Sequence, residues 1–371
     1  MAPVDDAGAA VLGDPQLVMP TAAAVVATQT TAGPVRSGRD SHGLRTYAAL
    51  DLGTNNCRLL VARPSSEGFR VVDAFSRIVR LGEGLGASNR LRDIAITRTI
   101  EALHVCRSKM EGRGVSRARL IATEACRAAV NGADFVARVR DETDLELEVV
   151  DRETEAHLAV TGCAALADPE AEGTLLFDIG GGSSELIWLG RARRGASLRD
   201  RVVAWTSLPV GVVTLAERHG GLEVTRDGFE GMVREVDGML AAFTNEVAKV
   251  GRCSRFHLLG TSGTVTTIAG VHLGLARYDR RQVDGIWMQD ADVSTVVDRL
   301  IGMGYRERAA NPCVGHERAD LVLAGCAILE AIRRAFPAPR LRIADRGLRE
   351  GILMQLMLED GVWHPAKGRP A

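Results

Sequence analysis

Apolar and polar positions in the first half of the chain predict three strands followed by alternating helices and strands. "TYAALDLGTNNCRLLVAR" has two β-rich runs around a Gly/Asn turn, and "FRVVDAFSRIVRL" has the pattern of a third strand. A helical period near residues 94–110 precedes a strand at "RARLIATEA", and a helix near 133–142 precedes a strand at "LELEVVD". A helix from about 153 to 166 follows. Strands that alternate with helices in this way indicate a largely parallel sheet.

After Asp168 and Pro169 the same order of elements begins again. "TLLFDIGGGSSELIWLGR" gives two strands around a glycine turn, and "RVVAWTSLPVG" gives a third strand. Residues 229–250 have a helical period, and "RFHLLGTSGTVTTIAG" gives a strand, a turn and a helix. Such a repeat predicts two duplicated α/β domains with a cleft between them. We assign residues 46–168 to domain I and residues 169–345 to domain II, and we expect the last helix, at about 346–360, to pack back on domain I.

The segment before these repeats has a different composition. Residues 1–45 are rich in Ala, Pro, Gly, Thr and Val, contain no aromatic residue and lack a sustained apolar period. This composition predicts a disordered N-terminal tail.

Overall composition narrows the class of protein. Of the 371 residues, 46% are hydrophobic and 25% are charged, which is enough to bury a large core. No apolar run approaches the roughly 20 residues that span a bilayer, and the N-terminus has no signal-peptide pattern, so we expect a cytoplasmic protein with no membrane partner. A formal net charge of −1 gives no overall field that would attract nucleic acid. The seven cysteines show no metal-ligand spacing, which favours buried free thiols.

The repeat aligns two turns that carry candidate chemistry. "DLGTNN" begins at Asp51 and "DIGGGSS" begins at Asp178, and each places an acid at the end of a strand before Gly and small polar residues. Glycine lets backbone N–H groups approach phosphate oxygens, and successive N–H groups in a turn form an anion-binding nest. A carboxylate beside such a nest repels bare phosphate unless it holds a bridging divalent cation. The alternative is a pair of ordinary hairpin turns, but the recurrence at equivalent places favours a phosphate and cation site.

Several segments together resemble a known family. "YAALDLGTNNCRLLVA", "LLFDIGGGSSELI" and "LLGTSGTVTTIAG" are similar to the phosphate motifs of the actin-like ATPase superfamily. Within it, the chain resembles the exopolyphosphatase and guanosine pentaphosphate phosphohydrolase family, in its short two-domain form. That narrower likeness rests on "RLGEGL", "ATEACRAAVNGADF", "VVDRETEAHLAV", "ERADLVLAG" and "LRIADRGLREGIL". The matched segments run in order from about Tyr47 to Leu358.

The resemblance implies a fold, a reaction and a set of site residues. The fold would be two duplicated actin-like ATPase (ribonuclease H-like) domains with an interdomain cleft. The protein would release terminal orthophosphate from inorganic polyphosphate or guanosine pentaphosphate with Mg²⁺ or Mn²⁺, and a homodimer is compatible with the likeness. Glu155 matches the family's catalytic base and Arg127 its substrate-binding arginine, while Asp178, Glu185 and Asp51 would hold the cation. The residues expected to bind substrate phosphate are Gly53, Thr54, Asn55, Asn56, Gly180, Gly181, Gly182, Ser183, Gly260, Ser262, Gly263 and Thr264.

Alternatives remain at individual residues. Glu153 and Glu155 also suit first-turn acids that complement a helix dipole, a role we favour for Glu153 alone. Glu124 is the rival base, because it ends a predicted strand and its side chain could reach the cleft. His157 stands where the family commonly has arginine, which puts one phosphate contact in doubt.

Two other functions suit the same superfamily. One is an ATP-dependent kinase, which we disfavour because a kinase must exclude water from its acceptor site. The other is a non-catalytic sensor that binds polyphosphate or guanosine nucleotides. Arg349 and Glu350, near the chain's end, suit a structural ion pair rather than catalysis.

Overall fold

A computed structural model describes residues 45–66, 68–191, 198–250, 253 and 255–363. Apart from Arg45, the predicted disordered tail lies outside the described residues. Among them, no helix is long and apolar enough to cross a membrane. The cytoplasmic location and the homodimer stay predictions.

The first half of the chain forms a sheet that we call sheet I, with the strand order β3-β2-β1-β4-β5. β1, β2 and β3 form an antiparallel meander, while β4 runs parallel to β1 and β5 parallel to β4. Its strands are β1 (Tyr47–Leu52), β2 (Asn56–Ser65), β3 (Gly68–Ile78), β4 (Arg117–Ala122) and β5 (Glu148–Val149). Its helices are α1 (Leu85–Ser88), α2 (Asp93–Gly112), α3 (Glu124–Ala128) and α4 (Gly132–Thr143).

The second half forms sheet II, with the strand order β10-β11-β9-β6-β7-β8. Its strands are β6 (Gly173–Ile179), β7 (Ser184–Gly190), β8 (Val202–Leu208), β9 (Phe256–Thr261), β10 (Trp287–Gln289) and β11 (Arg340–Ala344). Its helices are α6 (Leu198–Arg201), α7 (Val212–His219), α8 (Arg226–Lys249), α9 (Gly263–His272), α10 (Arg280–Val283), α11 (Asp290–Gly302), α12 (Tyr305–Ala310) and α13 (Val322–Ala335). β6 is buried almost throughout, as expected for a central strand covered on both faces.

The two sheets repeat one topology, as the sequence predicts. β1 pairs with β2 across one glycine turn and runs parallel to β4, while β6 pairs with β7 across the other and runs parallel to β9. Each first strand is therefore the centre of its sheet, and each turn leaves the same end of that strand. The boundaries at residues 168 and 345 stay predictions.

Two helices cross between the sheets with their backbones in contact. They are α5 (Arg152–Cys163) and α14 (Leu348–Glu359), and α14 also packs on β1. A Cβ atom on Gly162 would lie 2.0 Å from the carbonyl oxygen of Gly347, and one on Gly351 would lie 2.0 Å from that of Leu158. Glycine at these two positions is what allows the helices to approach so closely.

Three expectations from the sequence differ from the structure. The strand at "RARLIATEA" ends at Ala122, and the chain turns at Thr123, so Glu124 is the first residue of α3 instead of a strand residue. Only Glu148 and Val149 of "LELEVVD" pair with β4, although the leucines before them are buried. Arg349 makes no ion pair with Glu350 within the described chain.

The neighbours of Glu350 explain that last difference. Its carboxylate accepts from Arg280 Nη2 at 2.8 Å and from the Gly347 N–H at 2.9 Å. All seven cysteines are free, and all but Cys253 are buried, which confirms the prediction of free thiols.

Candidate active site

The two glycine turns face each other across the cleft between the sheets. In each turn the first residue closes the hairpin, with Gly53 N–H donating to Asn56 O at 2.9 Å and Gly180 N–H donating to Ser183 O at 2.9 Å. A Cβ atom on Gly181 would lie 2.9 Å from Thr54 Cβ. The opposite turn therefore fills the space beside Gly181 and Gly182, and any larger residue at Gly181 would push the turns apart.

These turns offer unpaired donors to a ligand. Within the described part of the chain, the N–H groups of Thr54, Asn55, Gly181 and Gly182 donate to no protein acceptor. The carbonyl groups on one side are occupied, because Val212 N–H at the start of α7 donates to Gly180 O at 3.0 Å. Free N–H groups on both turns make the cleft suited to an anion.

A cavity between the turns collects nearly all the residues that the sequence singles out. It encloses about 970 Å³, including the solvent at its mouth. The predicted residues that line it are Asp51, Gly53, Thr54, Asn55, Asn56, Glu155, Asp178, Gly180, Gly181, Gly182, Ser183, Glu185, Ser262, Gly263 and Thr264. Arg127 does not line the cavity, but it contacts Glu124 and Glu155, which do.

The third turn joins β9 to α9. Ser262 caps α9 by accepting from Thr264 N–H at 3.3 Å, and it has a φ of 105°, which is rare for a residue other than glycine. Gly260 does not line the cavity and lies on β9 between β6 and β11, so its role in binding phosphate stays a prediction. A Cβ atom there would lie 2.6 Å from Phe177 Cζ, and the glycine is needed for packing in the core of sheet II.

Two of the candidate metal ligands are cross-strand neighbours. Asp178 on β6 lies directly opposite Glu185 on β7, so both side chains leave the same face of sheet II. Burial and the neighbouring Asp51 together raise the pKa of Asp178 to about 6, although Arg58 opposes the shift. Burial also raises the pKa of Asp51 and that of Glu185, whose Oε1 accepts from Ser207 Oγ at 2.8 Å.

The donor set suits a hard divalent cation. Among the described residues, no three acids are close enough to form a complete metal cage. Mg²⁺ needs none, since it usually binds one or two carboxylates together with waters and substrate phosphates. The buried Oδ1 atoms of Asn55 and Asn56 have no hydrogen-bond partner, which leaves two further oxygen donors beside the acids. The residues present therefore fit Mg²⁺ or Mn²⁺.

Glu155 lies in the first turn of α5, whose N-cap Asp151 accepts from Thr154 N–H at 2.7 Å. Burial raises the pKa of Glu155 to about 7, with Asp51 and Asp178 adding to the shift and Arg127 opposing it. Its neighbour Glu153 is largely exposed and does not line the cavity. A buried carboxyl that titrates near neutral pH has the property of a general base.

Arg127 holds both candidate bases. Its Nη2 donates to Glu155 Oε2 and to Glu124 Oε2, each at 2.8 Å, and its Nη1 donates to Val150 O at 2.6 Å. The guanidinium is therefore engaged by protein groups instead of presenting a free fork to a phosphate.

Glu124 is held differently from Glu155. Its Oε1 also accepts from Arg152 at 2.9 Å. Burial alone would raise the pKa of Glu124, but Arg152 and Arg127 together lower it. The cavity thus separates two carboxylates by environment, one poised near neutral pH and one kept ionised.

Three arginines belong to the site although the sequence did not point to them: Arg58 and Arg318 carried no signal, and Arg349 was expected to form a structural ion pair. Arg58 and Arg318 line the cavity close to Gly263, and Arg349 lines an adjoining cavity with both of them. In the described chain, none of the three side chains makes a hydrogen bond or an ion pair. Hairpin register could have found Arg58, because it lies directly opposite Asp51. Free guanidinium groups beside unpaired N–H groups are well suited to phosphate oxygens.

Comparisons with known proteins show the family of the chain. The sequence profile of the Ppx/GppA phosphatase family matches residues 60–360. Exopolyphosphatase 2 of Mycobacterium tuberculosis is 30% identical over 331 residues, which cover 84% of this chain and 99% of the relative.

Solved structures give the same fold. The Aquifex aeolicus member of the Ppx/GppA family has a TM-score of 0.69 at 26% identity, covering 85% of this chain and 99% of that one. An exopolyphosphatase from Cytophaga hutchinsonii has a TM-score of 0.76 at 23% identity, covering 86% and 99%. The duplicated actin-like ATPase fold implied by the resemblance is confirmed. The chain belongs to the Ppx/GppA phosphatase family.

Proposed function

We propose that this protein hydrolyses a terminal phosphoanhydride of inorganic polyphosphate and releases orthophosphate. The observation that carries the proposal is the placement of Glu155, whose pKa is raised to about 7, in a cavity that also holds two phosphate-type turns and a cation-type set of acids. A base, a phosphate cradle and a cation site are the parts that hydrolysis of a phosphoanhydride needs. The relative named as an exopolyphosphatase supports this choice of substrate.

Glu155 would orient and deprotonate the attacking water. With a pKa of about 7, a large share of the carboxyl is ionised at neutral pH and still basic enough to take a proton. Its contact with Arg127 fixes the side chain at the edge of the cavity. Because Arg127 is shared with Glu124, it is better suited to orienting the base than to gripping the substrate alone.

A cation would bind to one or two of the acids Asp51, Asp178 and Glu185, with waters, substrate phosphates and the oxygens of Asn55 and Asn56 as its other neighbours. When bound, Mg²⁺ or Mn²⁺ would neutralise charge on the transferred phosphoryl oxygens. The raised pKa values of the acids support this role, since burying several carboxylates together is unfavourable without a compensating charge.

The remaining phosphates of the chain would contact the turns and the free arginines. The unpaired N–H groups of the two turns and the start of α9 would hold the terminal groups. Arg58, Arg318 and Arg349 would hold phosphates further along the chain, in the adjoining cavity.

Guanosine pentaphosphate is the second candidate substrate. It ends in the same phosphoanhydride. Tyr278 lines the adjoining cavity, where the guanine ring of this nucleotide would stack on it. The Tyr278 hydroxyl already donates to Asp345, so its ring orientation is fixed.

Phosphate release should be measured in parallel from long polyphosphate, short polyphosphate and guanosine pentaphosphate, with and without Mg²⁺. We expect Mg²⁺-dependent release, fastest from polyphosphate. Binding in Mg²⁺ without turnover of any of the three would favour a sensor. Transfer of label from ATP to an acceptor without free phosphate would favour a kinase.

A further inference from the structure

The "RLGEGL" segment, Arg80 to Leu85, is a motif to which the proposed reaction gives no role. Its start is bonded to the first glycine turn. The N–H groups of Val79 and Arg80 both donate to Asn55 O, at 2.9 and 3.0 Å, and Gly82 N–H donates to Thr54 O at 2.9 Å. The turn that offers free N–H groups to phosphate therefore takes its position from this segment.

Arg80 has an unusual backbone for its residue type. Its φ of 47° lies in the left-handed region, which is sterically unfavourable for a residue other than glycine. Arg98 holds the segment in this form, because its Nε donates to Val79 O at 2.5 Å and its Nη2 to Arg80 O at 3.4 Å. Such a conformation persists only where the surroundings enforce it.

The Arg80 side chain crosses to the other half of the molecule. Its Nη1 donates to Asp320 Oδ2 at 2.8 Å and its Nη2 to Asp320 Oδ1 at 3.0 Å, which is a bidentate ion pair. Nη2 also donates to the carbonyl oxygen of Glu317 at 3.1 Å. These two contacts bracket Arg318, one of the free arginines of the cavity.

The far end of this contact is itself fixed. Arg308 is only 2% exposed and donates to Ala319 O at 3.1 Å, next to Asp320. A Cβ atom on Gly221 would lie 1.9 Å from Asp320 O, so the backbone there is also tightly packed. A side chain that grips Asp320 is therefore anchored to a fixed point on the sheet II half.

From these contacts we infer that Arg80 is a positioning residue that sets the distance between the Thr54–Asn55 turn and Arg318. The backbone of Arg80 holds the turn, and its side chain holds the loop that carries the arginine. The two parts of the phosphate site come from different halves of the molecule, and the ion pair fixes them in one arrangement. Glu217 adds a second link, since its Oε1 accepts from Gly84 N–H at 2.7 Å.

The inference rests on the proposed hydrolysis for its kinetic test. The variants are Arg80→Ala, Asp320→Ala and the double variant. Arg80 would position groups that bind polyphosphate with equal strength in the ground state and the transition state. Each single change should therefore raise KM for polyphosphate about tenfold and leave kcat within about threefold of wild type. The double variant should be no worse than the more affected single variant, since both remove one contact.

Two further variants control the kinetic test. Arg80→Lys keeps the positive charge but cannot make the bidentate contact with Asp320, so it should give a KM between those of wild type and Arg80→Ala. It replaces the alanine variant in the test if that variant does not fold. Arg226→Ala removes an exposed Arg226–Asp298 pair of 3.0 Å and should leave KM unchanged. An unchanged KM in the Arg80 and Asp320 variants, or effects that add in the double variant, would overturn the inference.

Amide hydrogen exchange gives a readout that does not depend on turnover. In Arg80→Ala, the Gly82 N–H should exchange faster than in wild type, because the turn is no longer tied across the cleft. If wild type releases no phosphate, the proposed function fails, and exchange still decides the inference. Unchanged exchange at Gly82 together with a wild-type KM would reject the positioning role alone.

Discussion

Replacing Asp178 by asparagine should stabilise the protein when no divalent cation is bound. The change removes a negative charge that lies in a cavity with four other acidic side chains, and the pKa of this carboxyl is raised to about 6. At pH 8 this carboxylate is ionised in both the folded and the unfolded protein, but burial disfavours the charge in the folded protein. We therefore expect Asp178→Asn to have a larger free energy of unfolding than wild type at pH 8.

The magnitude follows from the pKa shift. A change from 3.8 in the unfolded chain to about 6 in the fold is about 2 pKa units, or at most about 3 kcal/mol. Since the folded pKa is the higher one, the cost is absent below pH 3.8, grows between pH 3.8 and 6, and is complete above pH 6. The advantage of the variant should therefore shrink towards zero as the pH falls to about 4.

Urea denaturation with a chelator at pH 8, 6 and 4.5 would measure this difference. Added Mg²⁺ should then stabilise wild type more than the variant, because the cation relieves the same repulsion.

Glu124→Gln is the matched control. It removes the same charge from the same cavity, but Arg152 and Arg127 lower the pKa of Glu124. Its charge therefore stabilises the fold above the unfolded pKa of 4.5, and that contribution is lost as the pH falls. The variant should be less stable than wild type at pH 8. The reasoning about the buried acids would be refuted if Asp178→Asn were no more stable than wild type in chelator while Glu124→Gln were less stable, as expected.

Three further predictions concern turnover. Glu155→Gln should lower kcat by on the order of 10²- to 10⁴-fold with substrate affinity kept, whereas Glu124→Gln should cost roughly tenfold or less; steady-state kinetics would decide, and the reverse ranking would move the base to Glu124. Arg127→Lys should shift the acid limb of the kcat/KM profile to higher pH, because a weaker partner for Glu155 lets its pKa rise above about 7; an unmoved limb would contradict their coupling. Gly181→Ala should raise KM by pushing the turns apart, while Gly238→Ala, which meets no atom within 4 Å, should not; equal KM values would show that the turns need not touch.

The sequence could predict the parts of the site that depend on local pattern. Asp51 and Asp178 each stand near the end of an apolar run before a glycine turn, and hairpin pairing then fixes which residue opposes which. The family resemblance picked out Glu155, and the helix-start signals around it placed it in the first turn of a helix. Each of these depends on neighbours a few residues away.

Long-range contacts are what the sequence did not reveal. The partners of Arg127 come from two helices and the end of β5, and Arg80 finds Asp320 across 240 positions. The sequence alone does not decide the role of Gly260, because a glycine beside a phosphate-type motif looks the same whether it faces a ligand or the ring of Phe177. Glu124 was misplaced because a helix of five residues has too short a period to be detected.

The crossing with α14 holds one end of α5 in place, and Glu155 lies near the other end of this helix. Gly162, at the crossing, is seven residues from Glu155, or about 10 Å along the axis at about 1.5 Å per residue. A tilt of α5 by about 5° at Gly162 would displace the Glu155 carboxylate by about 1 Å. A displacement of that size can cost an enzyme about 10²-fold in rate. A single methyl group added at Gly162, far from any phosphate, would therefore change the position of Glu155.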